Sequence, residues 1–435
     1  MKKICLFLIA CLFSIDAYAE LKIDITGGRS EPMPIAIAEF TGVRRAEDIR
    51  KVVVDDLESS GLFRVINKDA YIQKMKDVKE NPRFLDWQAI NVQALLVANV
   101  ERLEDDKLKI SFRLWDIYGA QVMIGRAFPL PEREWRRLGH IVADMTYSRI
   151  TGEGGYFDTR IVYIAETGHA GNRKKRLAMM DQDGANQRYL TDGKTLILTP
   201  RFAPNMQKIA YMSYQGGKPR VFVMDLQTME QKDLGRFEGM SFAPRFSPDS
   251  KMLAMSLSKK GNSEIYLYDL ESGKKQQITN HPAIDTSPSF SPDGQKIVFN
   301  SDRSGSQQLY VMDKDGKNVK RISFGSKGTY ATPVWSPRGD YIAFTKIQDG
   351  TFYIGIMRPD GSAERLITKG FLVEGPAFAP NGRVLAFFKQ TPNDVDDYAK
   401  TGIYTIDVTG HNEQYLNIPT DASDPAWSPL LYEKK

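Results

Sequence analysis

One short phrase recurs along the second half of this 435-residue chain, and its spacing constrains the fold more than any other feature. The phrase has a proline, an aromatic residue two positions later, a small residue, a second proline and then an apolar run. Its copies are PRFAPNMQKIAYMS from Pro200, PRFSPDSKMLAMSL from Pro244, PSFSPDGQKIVFNS from Pro288, PVWSPRGDYIAFTK from Pro333, PAFAPNGRVLAFFK from Pro376 and PAWSP from Pro425. Successive first prolines are 44, 44, 45, 43 and 49 residues apart. A period in the mid-forties with strand-like content predicts a β-propeller with about four strands per blade.

Each part of the phrase has a mechanical role in such a blade. The aromatic residue ends the innermost strand and can pack between blades. The sequence Ser291-Pro292-Asp293-Gly294 predicts a type I turn, because Ser suits the first position, Pro presets φ at the second and Gly closes the turn. The run at 297–299 is apolar at consecutive positions, which is typical of a strand covered on both faces.

The last copy of the phrase stops after its first strand. Residues 160–165 match the second strand of a repeat, yet no aromatic-Ser-Pro phrase precedes them. The C-terminal tail is therefore expected to supply the first strand of the blade whose other strands lie at 160–190. The sequence predicts six blades over 160–430, closed by non-covalent pairing of the C-terminal strand with the first propeller strands. Closure removes the exposed edges of an open sheet.

The residues at 34–150 do not repeat and predict an α/β domain ahead of the all-β propeller. Helical apolar spacing covers 45–60, 82–93 and 132–150, and strand patterns cover 35–40, 63–66, 94–103 and 107–117. The glycine-rich stretch that follows predicts a hinge at 151–159. The alternating segment at 20–33 is either the first strand of the α/β domain, which composition favours slightly, or a strand that adds to the sheet of a partner.

The first nineteen residues differ from the rest of the chain. A basic start, an apolar run and an A-x-A sequence predict a signal peptide at 1–19, cleaved after Ala19, and export to a bacterial periplasm. A lipoprotein site with an acylated Cys11 is the less favoured alternative, because it would cut the apolar run in half. Both cysteines, Cys5 and Cys11, lie in this leader, so the mature chain is expected to hold together by packing without disulfides.

Motifs for catalysis and metal binding are missing from the sequence. It has no G-x-S-x-G elbow, no H-E-x-x-H and no phosphate-binding glycine loop, and its four histidines are scattered. The loops that enter the inner strands ring one mouth of a propeller channel, and their mixed residues favour a protein-docking surface over a reaction centre. The sequence therefore predicts no catalytic residue, metal or cofactor. The candidate mouth residues are Met240, Ser241, Ala243, Asp285, Thr286, Tyr330, Thr332, Glu374 and Asp424.

The order of these parts resembles the TolB family of the Tol-Pal system of Gram-negative bacteria. The resemblance rests on the leader, the strand-forming segment, the α/β domain, the hinge, the six F/W-[SA]-P units and the closing PAWSP, and it covers essentially all of 20–430. It implies a non-enzymatic protein that links inner-membrane Tol proteins to the peptidoglycan-associated lipoprotein Pal and supports outer-membrane integrity and invagination at division. Pal would dock at the propeller mouth, at residues including Met240, Ala243 and Thr286. Some relatives have a His in place of Met240. TolA would bind the N-terminal segment through Glu20, Leu21, Lys22, Ile23, Asp24 and Ile25.

Two other classes of function stay open on sequence alone. A propeller-containing hydrolase of the prolyl-oligopeptidase type would need a separate domain with a serine elbow, which the sequence lacks. A scaffold that binds peptidoglycan or another carbohydrate has no motif that excludes it. The formal net charge of +5, without a long basic block, speaks against nucleic-acid binding. We also expect a monomer without a stable membrane span, with further envelope proteins as partners.

Overall fold

The computed structural model describes residues 31–168, 173–205, 207–237, 241–259, 261–325, 327–391 and 400–432. The expected signal peptide, the segment Glu20–Ile25 and Met240 lie outside these described residues. The chain divides into two compact units. The first holds the described residues up to Arg50, with Leu62–Trp135 and Arg149–Gly152, and the second holds Lys51–Gly61, Arg136–Ser148 and the described residues from Glu153 onward.

The first unit is built on one mixed sheet. Its strands are β1 (Met33–Ile37), β2 (Thr41–Gly42), β3 (Phe63–Val65), β4 (Ala94–Arg102), β5 (Lys107–Asp116) and β6 (Gln121–Pro131). The order is β3-β1-β4-β5-β6, with β2 pairing to β4. Strand β1 runs parallel to β3 and β4, whereas β4, β5 and β6 form an antiparallel meander.

The helices follow the apolar spacing of the sequence. They are α1 (Ala46–Ser59), α2 (Phe84–Ala89) and α3 (Trp135–Thr151), and 3₁₀ turns lie at Lys68–Ala70, Glu132–Glu134 and Gln215–Gly217. The first turn of helix α1 contains Glu47 and Asp48, whose charges suit the positive end of the helix dipole. It ends before Gly61, which has a φ of 70°. Its apolar stripe, Ile49, Val52, Val53 and Leu57, is buried.

The core of the first unit is centred on an aromatic side chain of α2. Trp87 is fully buried and packs in one cluster with Leu95 and Trp115. Its indole Nε1 donates a hydrogen bond to Oε1 of Gln73 at 3.1 Å, so the buried donor is satisfied. Burying a side chain of this kind contributes about 1.5–3 kcal/mol or more to folding.

The second unit contains six four-stranded antiparallel sheets. Blade 1 consists of β10 (Ile197–Phe202), β11 (Lys208–Ser213), β12 (Arg220–Asp225) and β13 (Gln231–Arg236). Blade 2 consists of β14 (Ser241–Phe246), β15 (Met252–Lys259), β16 (Asn262–Asp269) and β17 (Lys275–Gln277). Blade 3 consists of β18 (Asp285–Phe290), β19 (Lys296–Ser301), β20 (Gln308–Asp313) and β21 (Lys320–Arg321). Blade 4 consists of β22 (Thr329–Trp335), β23 (Ile342–Gln348), β24 (Thr351–Met357) and β25 (Arg365–Gly370). Blade 5 consists of β26 (Leu372–Phe378), β27 (Val384–Thr391), β28 (Lys400–Asp407) and β29 (Gln414–Tyr415). The closing blade combines β7 (Arg160–Thr167), β8 (Lys174–Asp181) and β9 (Arg188–Tyr189) with β30 (Asp421–Trp427).

The predicted closure by the C-terminal strand is confirmed. Strand β30 pairs antiparallel with β7, and Trp427 lies opposite Ile161. Two bonds between Arg160 and Ser428 extend the pairing. The amide of Arg160 donates to the hydroxyl of Ser428, and the amide of Ser428 donates to the carbonyl of Arg160, both at 2.8 Å. The first strands of the six blades contact one another in sequence, β10 with β14, then β18, β22, β26 and β30, and β30 contacts β10. The fold is therefore a closed six-bladed propeller together with an α/β unit.

Hydrophobic clusters fill the spaces between neighbouring blades. One cluster joins Val162 and Leu177 of the closing blade to Tyr211 and Met224 of blade 1. Similar clusters combine residues of blades 1 and 2, 2 and 3, 3 and 4, and 4 and 5. The central strands are covered on both faces, which explains their continuous apolar runs. Among the described residues, no helix combines the length and apolar character needed to cross a membrane.

Candidate functional site

The first strand of every blade carries an irregularity at the proline that opens the repeated phrase. In β18 the register shifts between Thr286 and Ser289, and the other five first strands shift at the equivalent place. The residue before the proline has a positive φ in five blades: Thr199, Ser287, Thr332, Gly375 and Asp424. Proline lacks a ladder N–H, and a bulge bends a strand and re-aims its side chains. The bulge therefore separates each first strand into a segment before the proline and a segment after it.

The segments before the proline form one end of the ring, which we call the mouth. It comprises the N-terminal ends of β10, β14, β18, β22, β26 and β30. The candidate residues Asp285, Thr286, Tyr330, Thr332, Glu374 and Asp424 all lie there, as do the backbones of Ser241 and Ala243 in β14. The structure thus brings the described candidates together, and their expected role as contacts of a partner stays a prediction.

Asp285 is a structural acid of the mouth. Its side chain is fully buried, and Oδ2 lies 2.8 Å from Nη2 of Arg303. The guanidinium of Arg303 also lies over the rings of Phe299 and Tyr310, with its central carbon 5.2 and 5.0 Å from their centroids. This contact fixes Arg303 between a carboxylate and two aromatic faces. Asp285 therefore shapes the mouth through Arg303.

Tyr330 is fixed by hydrogen bonds and a cation–π contact with neighbouring charged side chains. It is buried, and its hydroxyl donates to Oε2 of Glu364 at 2.9 Å. The ammonium of Lys346 lies 2.8 Å from Oε1 of the same carboxylate and 4.8 Å from the centre of the Tyr330 ring. Burial lowers the pKa of Lys346, but the bonds to Glu364 and Tyr330 outweigh it and raise that pKa above its ordinary value. The three side chains form one charge-assisted network.

Four further mouth candidates, Thr286, Thr332, Glu374 and Asp424, are half-buried. Thr286 donates to Oδ1 of Asn300 at 3.3 Å, and the hydroxyl of Thr332 lies 2.8 Å from that of Thr345. Glu374 and Asp424 belong to the first strands of adjacent blades, β26 and β30. Burial raises the pKa of Glu374, and the nearby charge of Asp424 raises it further. These two acids place negative charge on one side of the mouth.

Exposed apolar side chains surround the mouth, and sequence reasoning missed them. Four large side chains lie in the connections that enter first strands, and each is substantially exposed: Leu196 at 41%, Ile284 at 38%, Phe324 at 68% and Phe371 at 67%. Because each connection leads into the N-terminal end of a first strand, all four lie at the same end of the ring. We call them the apolar rim. In the sequence, these residues could have been recognised as large apolar residues that lie shortly before a first strand and outside any strand or helix pattern.

A buried charge cluster lies elsewhere in the second unit. His140 Nδ1 is 2.7 Å from Oδ2 of Asp56, and Gln182 donates to the other oxygen of Asp56 at 2.9 Å. Asp183, which lies close enough to complete a possible metal-binding group, instead bonds to Arg136. Burial lowers the pKa of His140, but the charges of Asp56, Asp183 and Asp181 raise it to about 9. The cluster is thus accounted for by charge pairing.

Comparisons with known proteins agree with this architecture. Residues 147–431 match the model of the TolB beta propeller domain, and residues 21–123 match that of the TolB amino-terminal domain. The Tol-Pal system protein TolB of Paramagnetospirillum magneticum is 57% identical over 423 residues, which cover 96% of this chain and 94% of that protein. The crystal structure of TolB from Acinetobacter baumannii superposes with a TM-score of 0.83 at 27% identity, covering 92% of this chain and 97% of that chain. This chain is therefore a member of the TolB family.

Proposed function

We propose that this chain is a non-enzymatic, periplasmic component of the Tol-Pal system. In this role it links inner-membrane Tol proteins to the lipoprotein Pal and supports outer-membrane integrity and invagination at division. The observation that carries the proposal is the 57% identity, over nearly the full chain, to a protein named for that system. A screen of the purified protein against hydrolase substrates tests the non-enzymatic part, and turnover above background would contradict it.

The apolar rim supports docking of Pal at the propeller mouth. Exposed aromatic side chains around a concave opening are typical anchors of protein interfaces. Phe324 and Phe371 are each about two-thirds exposed, so both can become buried when a partner docks. The hydrogen bonds of Tyr330 and Lys346 to Glu364 tie β22 and β23 of blade 4 to the residue that precedes β25.

Substitution of the rim tests this docking site. We expect Phe324→Ser and Phe371→Ser to weaken binding of purified Pal by about 30-fold each, the effect of losing an aromatic anchor worth about 2 kcal/mol. Leu366→Ser is the matched control, because Leu366 is 41% exposed but lies on the outer strand β25. Equal Pal affinity for the rim variants and the control would place the docking site elsewhere.

The N-terminal segment, which lies outside the described residues, is proposed to bind TolA through Glu20–Ile25. We further propose that occupancy of the mouth changes access to this segment. Such coupling must be reciprocal in binding free energy, so Pal should change TolA affinity by the same factor as TolA changes Pal affinity. Calorimetric titration of TolA with and without saturating Pal measures it. Identical TolA affinities would refute the coupling and leave the two binding sites standing.

A further inference from the structure

A cavity lies at the opposite end of the ring from the mouth. It has a volume of about 370 Å³ and is lined by the C-terminal ends of all six first strands. Its walls are mostly the repeated phrase itself: the aromatic residues that end the inner strands, and the prolines of the turns that follow. A volume of this size suits a small organic molecule.

Two arginines break the apolar character of this cavity. The residue after the first proline of the phrase lines the cavity in every blade, and these residues are Arg201, Arg245, Ser289, Val334, Ala377 and Ala426. The arginines come from adjacent blades, so both guanidinium groups belong to one side of the ring. The other four positions carry a hydroxyl or an apolar side chain.

Neither arginine has the partner that a buried guanidinium normally requires. Arg201 is only 5% exposed, and its Nη1 donates to the carbonyl of the adjacent Pro200 at 2.6 Å. Its Nε is buried without a hydrogen-bond partner. Within the part of the chain that the structure describes, no carboxylate approaches either guanidinium to ion-pair distance. A buried charge in this state is costly unless a counter-charge is present.

The pKa shifts of Arg201 and Arg245 also indicate that their charges lack a counter-charge. Burial lowers the pKa of both arginines, and the charge of Arg201 lowers the pKa of Arg245 further. The charge of Asp424 opposes these effects at both arginines from a distance. Arginine nevertheless stays protonated in proteins. Two like charges therefore face a largely apolar cavity that contains space for an anion.

We propose that this cavity is a binding site for a carboxylate carried on a small apolar group. A guanidinium presents paired donors that match a carboxylate, and two from adjacent blades can share one anion. The rings of Phe202, Phe246 and Phe290 line the cavity around these arginines and would contact the apolar part of the ligand. Binding would satisfy Nε of Arg201 and neutralise the repulsion between the two charges.

The test uses 3-phenylpropionate as the probe and the full mature chain. Trp335 and Trp427 line the cavity, so quenching of tryptophan fluorescence should report binding at this place. We expect saturable binding of 3-phenylpropionate, and at least tenfold weaker binding of both 3-phenylpropionamide and acetate. The amide lacks the charge and acetate lacks the apolar group. Equal affinity for the acid and its amide in the unmodified protein would overturn the proposal.

Substitution then assigns the charge to the two arginines. The combined Arg201→Met and Arg245→Met variant should bind the acid at least tenfold more weakly while keeping the thermal transition of the fold. Arg188→Met is the matched control, because Arg188 is an exposed arginine on the outer strand β9, and it should bind like the unmodified chain. Undiminished binding by the double variant would also overturn the proposal.

Discussion

Removal of the closing strand tests most directly how the propeller holds together. A chain that ends at Thr420 lacks β30, so β7 loses its inner neighbour. The deletion removes the two 2.8 Å bonds between Arg160 and Ser428. It also removes Trp427, whose Nε1 donates to the hydroxyl of Thr159 at 2.7 Å and whose ring lies edge-on to Tyr156, with 6.1 Å between centroids.

The expected destabilisation follows from these contacts. Loss of a buried tryptophan side chain costs about 3–5 kcal/mol. The two backbone bonds of Arg160 and the bond from Ser423 to Glu166, 2.9 Å long, add about 1 kcal/mol each. The sum of about 6–8 kcal/mol is comparable with the whole stability of a typical domain, about 5–15 kcal/mol. The truncated propeller should therefore lose its cooperative folding transition and not only part of its stability.

Urea unfolding followed by circular dichroism measures this loss. The control chain ends at Leu431, so it keeps β30 and its bonds to β7. We expect the control to unfold like the full chain and the chain ending at Thr420 to show no cooperative transition at a comparable midpoint. A synthetic peptide of residues 419–432, added in trans, should restore part of the transition. An unchanged midpoint in the truncated chain would show that β30 is not needed to close the propeller.

Two further predictions concern buried groups of the second unit. The pKa of His140 is about 9 in the folded protein and about 6.5 in the unfolded chain. Its charge therefore stabilises the fold fully below pH 6.5, and roughly 3 kcal/mol of stability is lost as the pH rises through 9. The urea midpoint of the unmodified chain should fall over this pH range, and that of Asp56→Asn should not. Thr199→Gly should raise the thermal midpoint by the equivalent of about 1 kcal/mol, because Thr199 holds a φ of 49° and a buried hydroxyl without a partner. Thr286→Gly, at a position without positive φ and with a bonded hydroxyl, should lower it. A flat pH profile, or a loss of stability in Thr199→Gly, would contradict the respective prediction.

The repeated phrase made the propeller predictable because each of its parts acts locally. The predicted turn at Ser291 forms, with the amide of Gly294 donating to the carbonyl of Ser291 at 2.8 Å and Gly294 at a φ of 67°. The aromatic residues end the inner strands as expected. Closure followed from two complementary fragments of sequence. None of these inferences needed information about distant contacts.

Strand β6, the length of helix α2 and the burial of Asp285 were missed or misjudged, each for a separate physical reason. Strand β6 was not predicted, because it carries two prolines and a glycine and is mostly exposed, as an edge strand can be. Helix α2 is shorter than its apolar pattern indicated, because Asn91 adopts a positive φ of 58° soon after it ends. The burial of Asp285 was equally invisible, since it depends on Arg303, which lies eighteen residues away across the hairpin.

The bulge at the proline explains how one set of strands can carry two separate sites. A first strand of six residues is about 20 Å long, so the mouth and the cavity lie well apart on the same strands. The residues before the proline can vary to suit a docking partner, while those after it vary to suit the cavity, because the bulge interrupts the ladder between them.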